Sequence, residues 1–179
     1  MIGASAGALD ALSVILPALP EGFSLPVIVV VHIPPDKRSV LAELFQAKCR
    51  VPVREAEDKE PIVGGTVYFA PPDYHLLVEA DKHLSLSSDE PVLFSRPSID
   101  VLFESAADAY GPALIAIVLT GANHDGAKGM RAVVDAGGSG IVQSPEGAFA
   151  TAMPEAAIAM CPTASVLSLS AIAAYLQEV

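Results

Sequence analysis

The chain is predicted to be α/β: a doubly wound, mostly parallel sheet with helices on both faces and an antiparallel β-hairpin insertion near one edge. Three observations carry this reading. The runs Val27-Ile28-Val29-Val30-Val31 and Leu114-Ile115-Ala116-Ile117-Val118-Leu119 are continuously apolar, as in strands covered on both faces. Helical periodicity lies between such runs, which is the pattern of βα units in a parallel sheet. The middle of the chain has a different texture, with short alternating stretches divided by Gly-Gly, Pro-Pro and Asp-Lys.

Taken in order, Met1-Ile2 leaves almost no strand before Gly3, so the chain reads as a fragment of a longer protein or one that begins abruptly. Leu9, Leu12, Ile15, Leu16 and Leu19 recur at helical spacing and predict a helix over 7–18, ended by Pro20-Glu21-Gly22. Pro26 to Val31 is a central parallel strand. A helix over 38–48 follows, with Val40, Leu41, Leu44 and Phe45 on its apolar face. The stretches 51–54, 66–70, 75–78 and 84–86 read as antiparallel hairpins appended to one sheet edge. Ser98 is placed to N-cap a helix to 109, and a strand follows over 113–119. Asp125-Gly126 opens a helix through Val134 that stops at Gly137-Gly138. A strand over 140–142, a helix after Pro154 and a last helix over 170–178 complete the chain.

Of the 179 residues, 52% are hydrophobic and 17% charged, enough to bury a core in one domain spanning 1–179 and to exclude disorder. Ten basic against 21 acidic residues give a net charge of −11, which disfavours nucleic acid as a partner. The apolar runs are too short to span a bilayer, and no signal-peptide pattern is present. Cys49 and Cys161 make no disulfide framework, so a cytoplasmic location is expected.

Three polar signals close or follow apolar runs. Gly3-Ala4-Ser5-Ala6-Gly7 has the G-x-S-x-G spacing of a nucleophile elbow, with a helix opening just beyond it. The N–H groups of that helix start can stabilise a developing oxyanion. A Gly-rich turn can equally cradle a nucleotide phosphate, though the G-x-G-x-x-G spacing is absent, or do no chemistry. His32 ends the second apolar run one βα unit after Ser5; as a lone strand-end histidine it is either a general base or an interfacial residue. Asp125 follows the third run and is either the orienter of a histidine or a helix cap, with His124 a competing partner. In open α/β sheets ligands bind beyond the carboxyl ends of the strands, so Ser5, His32 and Asp125 are expected to converge there as nucleophile, base and orienter. Their chain order, Ser…His…Asp, is none of the three familiar to serine hydrolases. His75 and His83 lack metal-ligand spacing and read as surface or strand histidines, so no metal is expected.

In these residues the chain resembles the catalytic domain of the CheB-type chemotaxis protein-glutamate methylesterases. The likeness runs through Ile2-Gly3-Ala4-Ser5-Ala6-Gly7, Val31-His32-Ile33-Pro34-Pro35 and Ala70-Pro71-Pro72-Asp73-Tyr74-His75-Leu76. It continues in 96–105, in Leu119-Thr120-Gly121 to Asp125-Gly126-Ala127, and in Ala152-Met153-Pro154-Glu155-Ala156. The resemblance implies Ser5 as nucleophile, His32 as base and Asp125 as its orienter, with oxyanion donors at the backbone of Ala6 and Ala122. It implies hydrolysis of glutamate γ-methyl esters on the cytoplasmic helical bundle of chemoreceptors, releasing methanol, and deamidation of glutamine there, with no cofactor. No receiver domain is recognisable, so a fused or separate regulatory or methyltransferase domain is a candidate partner. Three positions depart from the family pattern. Ala6 replaces threonine, Ala122 replaces methionine and widens the pocket, and Asn123 replaces a glycine, where a left-handed conformation would keep the loop shape. Those departures motivate an alternative: a catalytically weak docking or regulatory domain of the same fold.

Overall fold

A computed structural model describes residues 1–33 and 39–179. The strands are β1 (Ile2–Ala4), β2 (Val27–Val31), β3 (Val53–Glu55), β4 (Val67–Phe69), β5 (His75–Val78), β6 (Leu84–Ser87), β7 (Ile115–Val118), β8 (Ser139–Gln143) and β9 (Ser165–Leu167). The α-helices are α1 (Ala8–Ile15), α2 (Leu41–Gln46), α3 (Ile99–Tyr110), α4 (Ala127–Asp135), α5 (Ala152–Met160) and α6 (Leu169–Glu178). Seven strands form one sheet in the order β3-β4-β2-β1-β7-β8-β9, every neighbouring pair parallel. The hairpin β5–β6 stands apart as a two-stranded antiparallel sheet.

Pleat alternation divides the core. In β2, Val27, Val29 and Val31 pack with Leu12 and Ile15 of α1, Phe45 of α2 and Ile172 of α6. Ile28 and Val30 point the other way, onto Phe103 of α3, Met130 of α4, Met153 of α5 and Leu76 of the hairpin. Burial of all five β2 residues explains why the run reads as apolar without alternation. The chain winds from β1 outward through β2 and β4, then returns to the opposite side of β1 at β7. The strand order therefore reverses at β1, and a crevice opens at its carboxyl end.

Several boundaries differ from expectation. Only 75–78 and 84–86 of the four middle stretches make a hairpin; β3 and β4 are parallel members of the main sheet. β3 lies at the sheet edge with Arg54 and Glu55 exposed, which produces the alternation that resembles a hairpin strand. The helix expected over 38–48 is seen as Leu41–Gln46, and its expected start at 38 lies outside the described residues. α5 begins at Ala152 rather than after Pro154, because proline is tolerated in the first helical turn, where its missing N–H leaves no bond unmade. β9 went unrecognised: Ser165 and Val166 are exposed on the opposite edge and carry little apolar signal.

Candidate active site

Ser5 and His32 are each the first residue beyond adjacent parallel strands, β1 and β2, whose ends pair Ala4 with Val31. The Ser5 N–H donates to Thr120 O at 2.9 Å, and the His32 N–H donates to Ala4 O at 3.2 Å. The sheet itself thus brings the serine backbone between the ends of β2 and β7. Gly7, in a left-handed conformation (φ 84°), turns the chain into α1, so the serine loop sits at the positive end of that helix.

The His32 Nε2 lies 2.8 Å from Asp125 Oδ2, and Asp125 is wholly buried. Four further donors surround this carboxylate. Ser98 Oγ (2.9 Å), Asp100 N (2.9 Å) and Gly126 N (3.0 Å) donate to Oδ1, and Ile99 N donates to Oδ2 (2.6 Å). Burial pushes the Asp125 carboxyl up, but the bonds from His32, Asp100 N and Ile99 N outweigh it and hold it below the usual carboxylate range. The cap expected of Ser98 is therefore supplied from elsewhere. The Ser98 side chain makes no cap bond of its own, and Asp125 takes the first N–H groups of α3 instead.

At the other ring nitrogen, Nδ1, Asn123 Nδ2 and Ser95 Oγ each stand at 3.4 Å. Asn123 Oδ1 accepts the Asp125 N–H at 3.1 Å, which turns the amide nitrogen toward the imidazole. An amide nitrogen only donates, so Nδ1 is the ring's acceptor and Nε2 carries the hydrogen shared with Asp125. In the familiar serine-hydrolase template the carboxylate faces Nδ1 instead. Asn123 is not in the left-handed region expected of a glycine substitute; its side chain orders the loop through Asp125 N and His32.

Among the described residues, Ser5 Oγ makes no hydrogen bond, to His32 or any other group. The backbone N–H groups of Ala6 and Ala122 are likewise unpaired among the described residues. The Ala6 carbonyl is engaged, accepting from Thr120 Oγ1 at 2.8 Å, and Thr120 Oγ1 in turn accepts the Ala150 N–H at 2.9 Å. This hydroxyl ties the serine loop to β7 and to the segment before α5. Gln143 completes the tie by accepting the Thr120 N–H at 2.9 Å.

His124 is exposed and stands outside this network. His75 is a strand histidine, the first residue of β5, and is buried, with Nδ1 accepting from Ser98 N (3.1 Å) and Nε2 donating to Glu90 O (3.1 Å). It holds the residue that donates to Asp125. Among the described residues no group of three or more His, Cys, Asp or Glu is arranged to hold a metal. No helix among them is long and apolar enough to cross a membrane. Sequence reasoning missed Ser95, Ser98, Thr120 and Asn123 as parts of this site. Signals were present, Ser98 as a polar residue just before an apolar helix start and Asn123 as a polar residue in the loop after β7, but neither spacing nor periodicity names a tertiary partner.

A family model described as CheB methylesterase matches residues 1–176. A Rhodospirillum rubrum protein named protein-glutamate methylesterase/protein-glutamine glutaminase 1 is 39% identical over 97% of this chain and 46% of its own length. An Archaeoglobus fulgidus protein bearing the same pair of activities in its name is 38% identical, covered over 97% of this chain and 50% of its own. The same pair appears in the name of a Leptospira interrogans protein, 46% identical over 97% of this chain and 90% of its own. The chain thus spans about half of the first two relatives and most of the third. The crystal structure of the Thermotoga maritima CheB methylesterase catalytic domain superposes with a TM-score of 0.95 at 35% identity, over 99% of this chain and 95% of that one.

Proposed function

Because this chain belongs to the CheB methylesterase family, we propose that residues 1–179 form one catalytic domain that hydrolyses glutamate γ-methyl esters on chemoreceptors and deamidates glutamine there. The observation that carries the residue assignment is the hydrogen-bonded pair His32 and Asp125 beside the strand end that bears Ser5. Ser5 is the nucleophile. Its Oγ attacks the ester carbonyl as His32 Nδ1, the ring's acceptor nitrogen, takes the hydroxyl proton. Asp125 fixes the tautomer through Nε2 and stabilises the imidazolium that forms. The N–H groups of Ala6 and Ala122, free of other partners among the described residues, stabilise the oxyanion. Collapse of the tetrahedral intermediate breaks the ester C–O bond, and methoxide leaves as methanol with the proton from His32. Water then attacks the acyl-enzyme, giving its proton to His32, and releases glutamate and Ser5. With glutamine the same sequence expels ammonia. None of these steps draws on a cofactor.

The open Ser5–His32 contact is compatible with this assignment, because hydrogen bonds to a catalytic nucleophile are often long and tighten when substrate binds. The alternative of a catalytically weak docking domain accounts for Asp125 as the cap of α3 but gives no reason for the imidazole held against it beside the serine loop. The substrate places the protein in the cytoplasm. Methanol released from a methylated receptor cytoplasmic fragment tests the proposal: turnover by the wild type and none by Ser5→Ala supports it. No methanol from the wild type at micromolar enzyme contradicts it.

A further inference from the structure

Between the hairpin β5–β6 and α3 the chain makes a second, very tight turn. The Val92 N–H donates to Ser95 O at 3.1 Å and the Ser95 N–H returns the bond to Val92 O at 2.9 Å. The two residues between, Leu93 and Phe94, both have positive φ, 48° and 64°. This is the type I′ pattern, for which Asn-Gly is favoured because L side chains with a Cβ are strained there. Here the strained positions carry two large apolar side chains, and the fold does not bury them. Leu93 is 46% exposed and Phe94 fully so. A turn that is strained locally and unrewarded by packing points to a demand from outside the fold.

Its position indicates which demand. Phe94 lines a cavity of about 310 Å³ together with His32, Ser95 and Arg96. Ser95, the next residue, holds its Oγ 3.4 Å from His32 Nδ1, so the turn also shapes the face of the imidazole. On the serine side stands Phe149, 80% exposed. Its Cβ lies 2.5 Å from where a Gly7 Cβ would be, and it lines a separate cavity with Gly7 and Thr120. One aromatic ring therefore rises beside the histidine and another beside the serine loop.

We propose that Phe94, presented by its strained turn, and Phe149 form an apolar clamp that grips the apolar side chains flanking the methylated glutamate of a protein substrate. The proposal rests on the esterase reading above and adds how the substrate is held. The occupant follows from charge and continuity. At −11 the chain gains no overall attraction for a glutamate-bearing surface, and the ester itself is neutral. Burial of apolar surface is left to supply the contact: Phe94 shares its cavity with His32, and Phe149 stands against the Gly7 turn two residues after Ser5.

The test compares kcat/KM for a methylated receptor fragment with that for p-nitrophenyl acetate, in the wild type, Phe94→Ala, Phe149→Ala and the double variant Leu93→Asn/Phe94→Gly. Each variant is expected to lower the ratio of the two values by about tenfold, chiefly through KM for the protein. The double variant should do so while raising Tm, since it places favoured residues in the turn. An unchanged ratio, or equal losses on both substrates, overturns the clamp. If the wild type hydrolyses neither ester, the esterase reading has failed on its own, and binding of the methylated fragment decides. Weaker binding by Phe94→Ala then supports the clamp, and equal binding overturns it.

Discussion

Asp100 and Asp125 cap each other's helices. Asp125, on the loop before α4, accepts the N–H groups of Ile99 and Asp100 at the start of α3, at 2.6 and 2.9 Å. Asp100, in the first turn of α3, accepts Gly126 N at 2.9 Å and Gly129 N at 2.7 Å at the start of α4. Each carboxylate thus sits at the positive end of the other's helix, and the exchange fixes the loop that presents Asp125 to His32. The two do not titrate alike. Desolvation raises Asp100 to about 6, helped by the neighbouring Asp125 charge, whereas His32 and backbone N–H groups keep Asp125 low.

A stability prediction follows from Asp100. The carboxyl ionises near its ordinary value in the unfolded chain and near 6 in the folded one, so the folded state holds more protons between those values. Asp100 therefore contributes falling stability as pH climbs from about 4 to about 6 and a constant penalty above. Asp100→Asn keeps an acceptor for Gly126 and Gly129 but removes the ionisation. Relative to the wild type the variant should gain stability between pH 4 and pH 7, measured by urea unfolding at both. A difference that does not change with pH contradicts the assignment.

For Asp125→Asn, kcat should fall on the order of 10⁴, the value known for the same change in the serine-protease template. Stability should fall as well, by about 1–3 kcal/mol, because the amide nitrogen takes the place of one carboxylate oxygen and faces donors where that oxygen accepted at least two bonds. Steady-state turnover and chemical denaturation separate the two effects. Near-normal kcat in a folded variant would assign the orienting role to another residue.

Thr120→Val removes the hydroxyl that joins Ala6 O to Ala150 N while keeping the shape. The expected cost is about 1 kcal/mol of stability, since two part-buried backbone groups lose a partner. Loosening of the serine loop should appear in kcat more than in KM. Unchanged kcat in a destabilised protein would show that Thr120 supports the fold alone.

Gly7→Ala forces a Cβ into a left-handed residue and against Phe149 at 2.5 Å. The left-handed conformation alone costs about 1–2 kcal/mol. Thermal unfolding should show a clear drop in Tm, and a neutral result would mean the loop relaxes without penalty.

The sheet and the three polar strand ends were legible because β2 and β7 are buried on both faces and stop at polar residues, His32 and Thr120. β3 and β4 were misassigned because three-residue strands are too short for a period, and edge exposure of Arg54 and Glu55 imitates a hairpin. The histidine–aspartate pairing was anticipated from chain order and topology. Its ring orientation was not, since it depends on Ser95 and Asn123, which lie 63 and 91 residues from His32 in the chain. The mutual capping by Asp100 and Asp125 was equally invisible. Each reads locally as an ordinary cap or first-turn acid of its own helix, and only packing of α3 on α4 reveals that they are exchanged.

The central claim, a serine activated by His32 under the hold of Asp125, is tested most directly by covalent labelling with a fluorophosphonate followed by peptide mass spectrometry. One adduct per chain on the peptide bearing Ser5, formed far more slowly in His32→Ala, is the predicted result. Labelling on another residue, or at the same rate without the imidazole, would contradict the account.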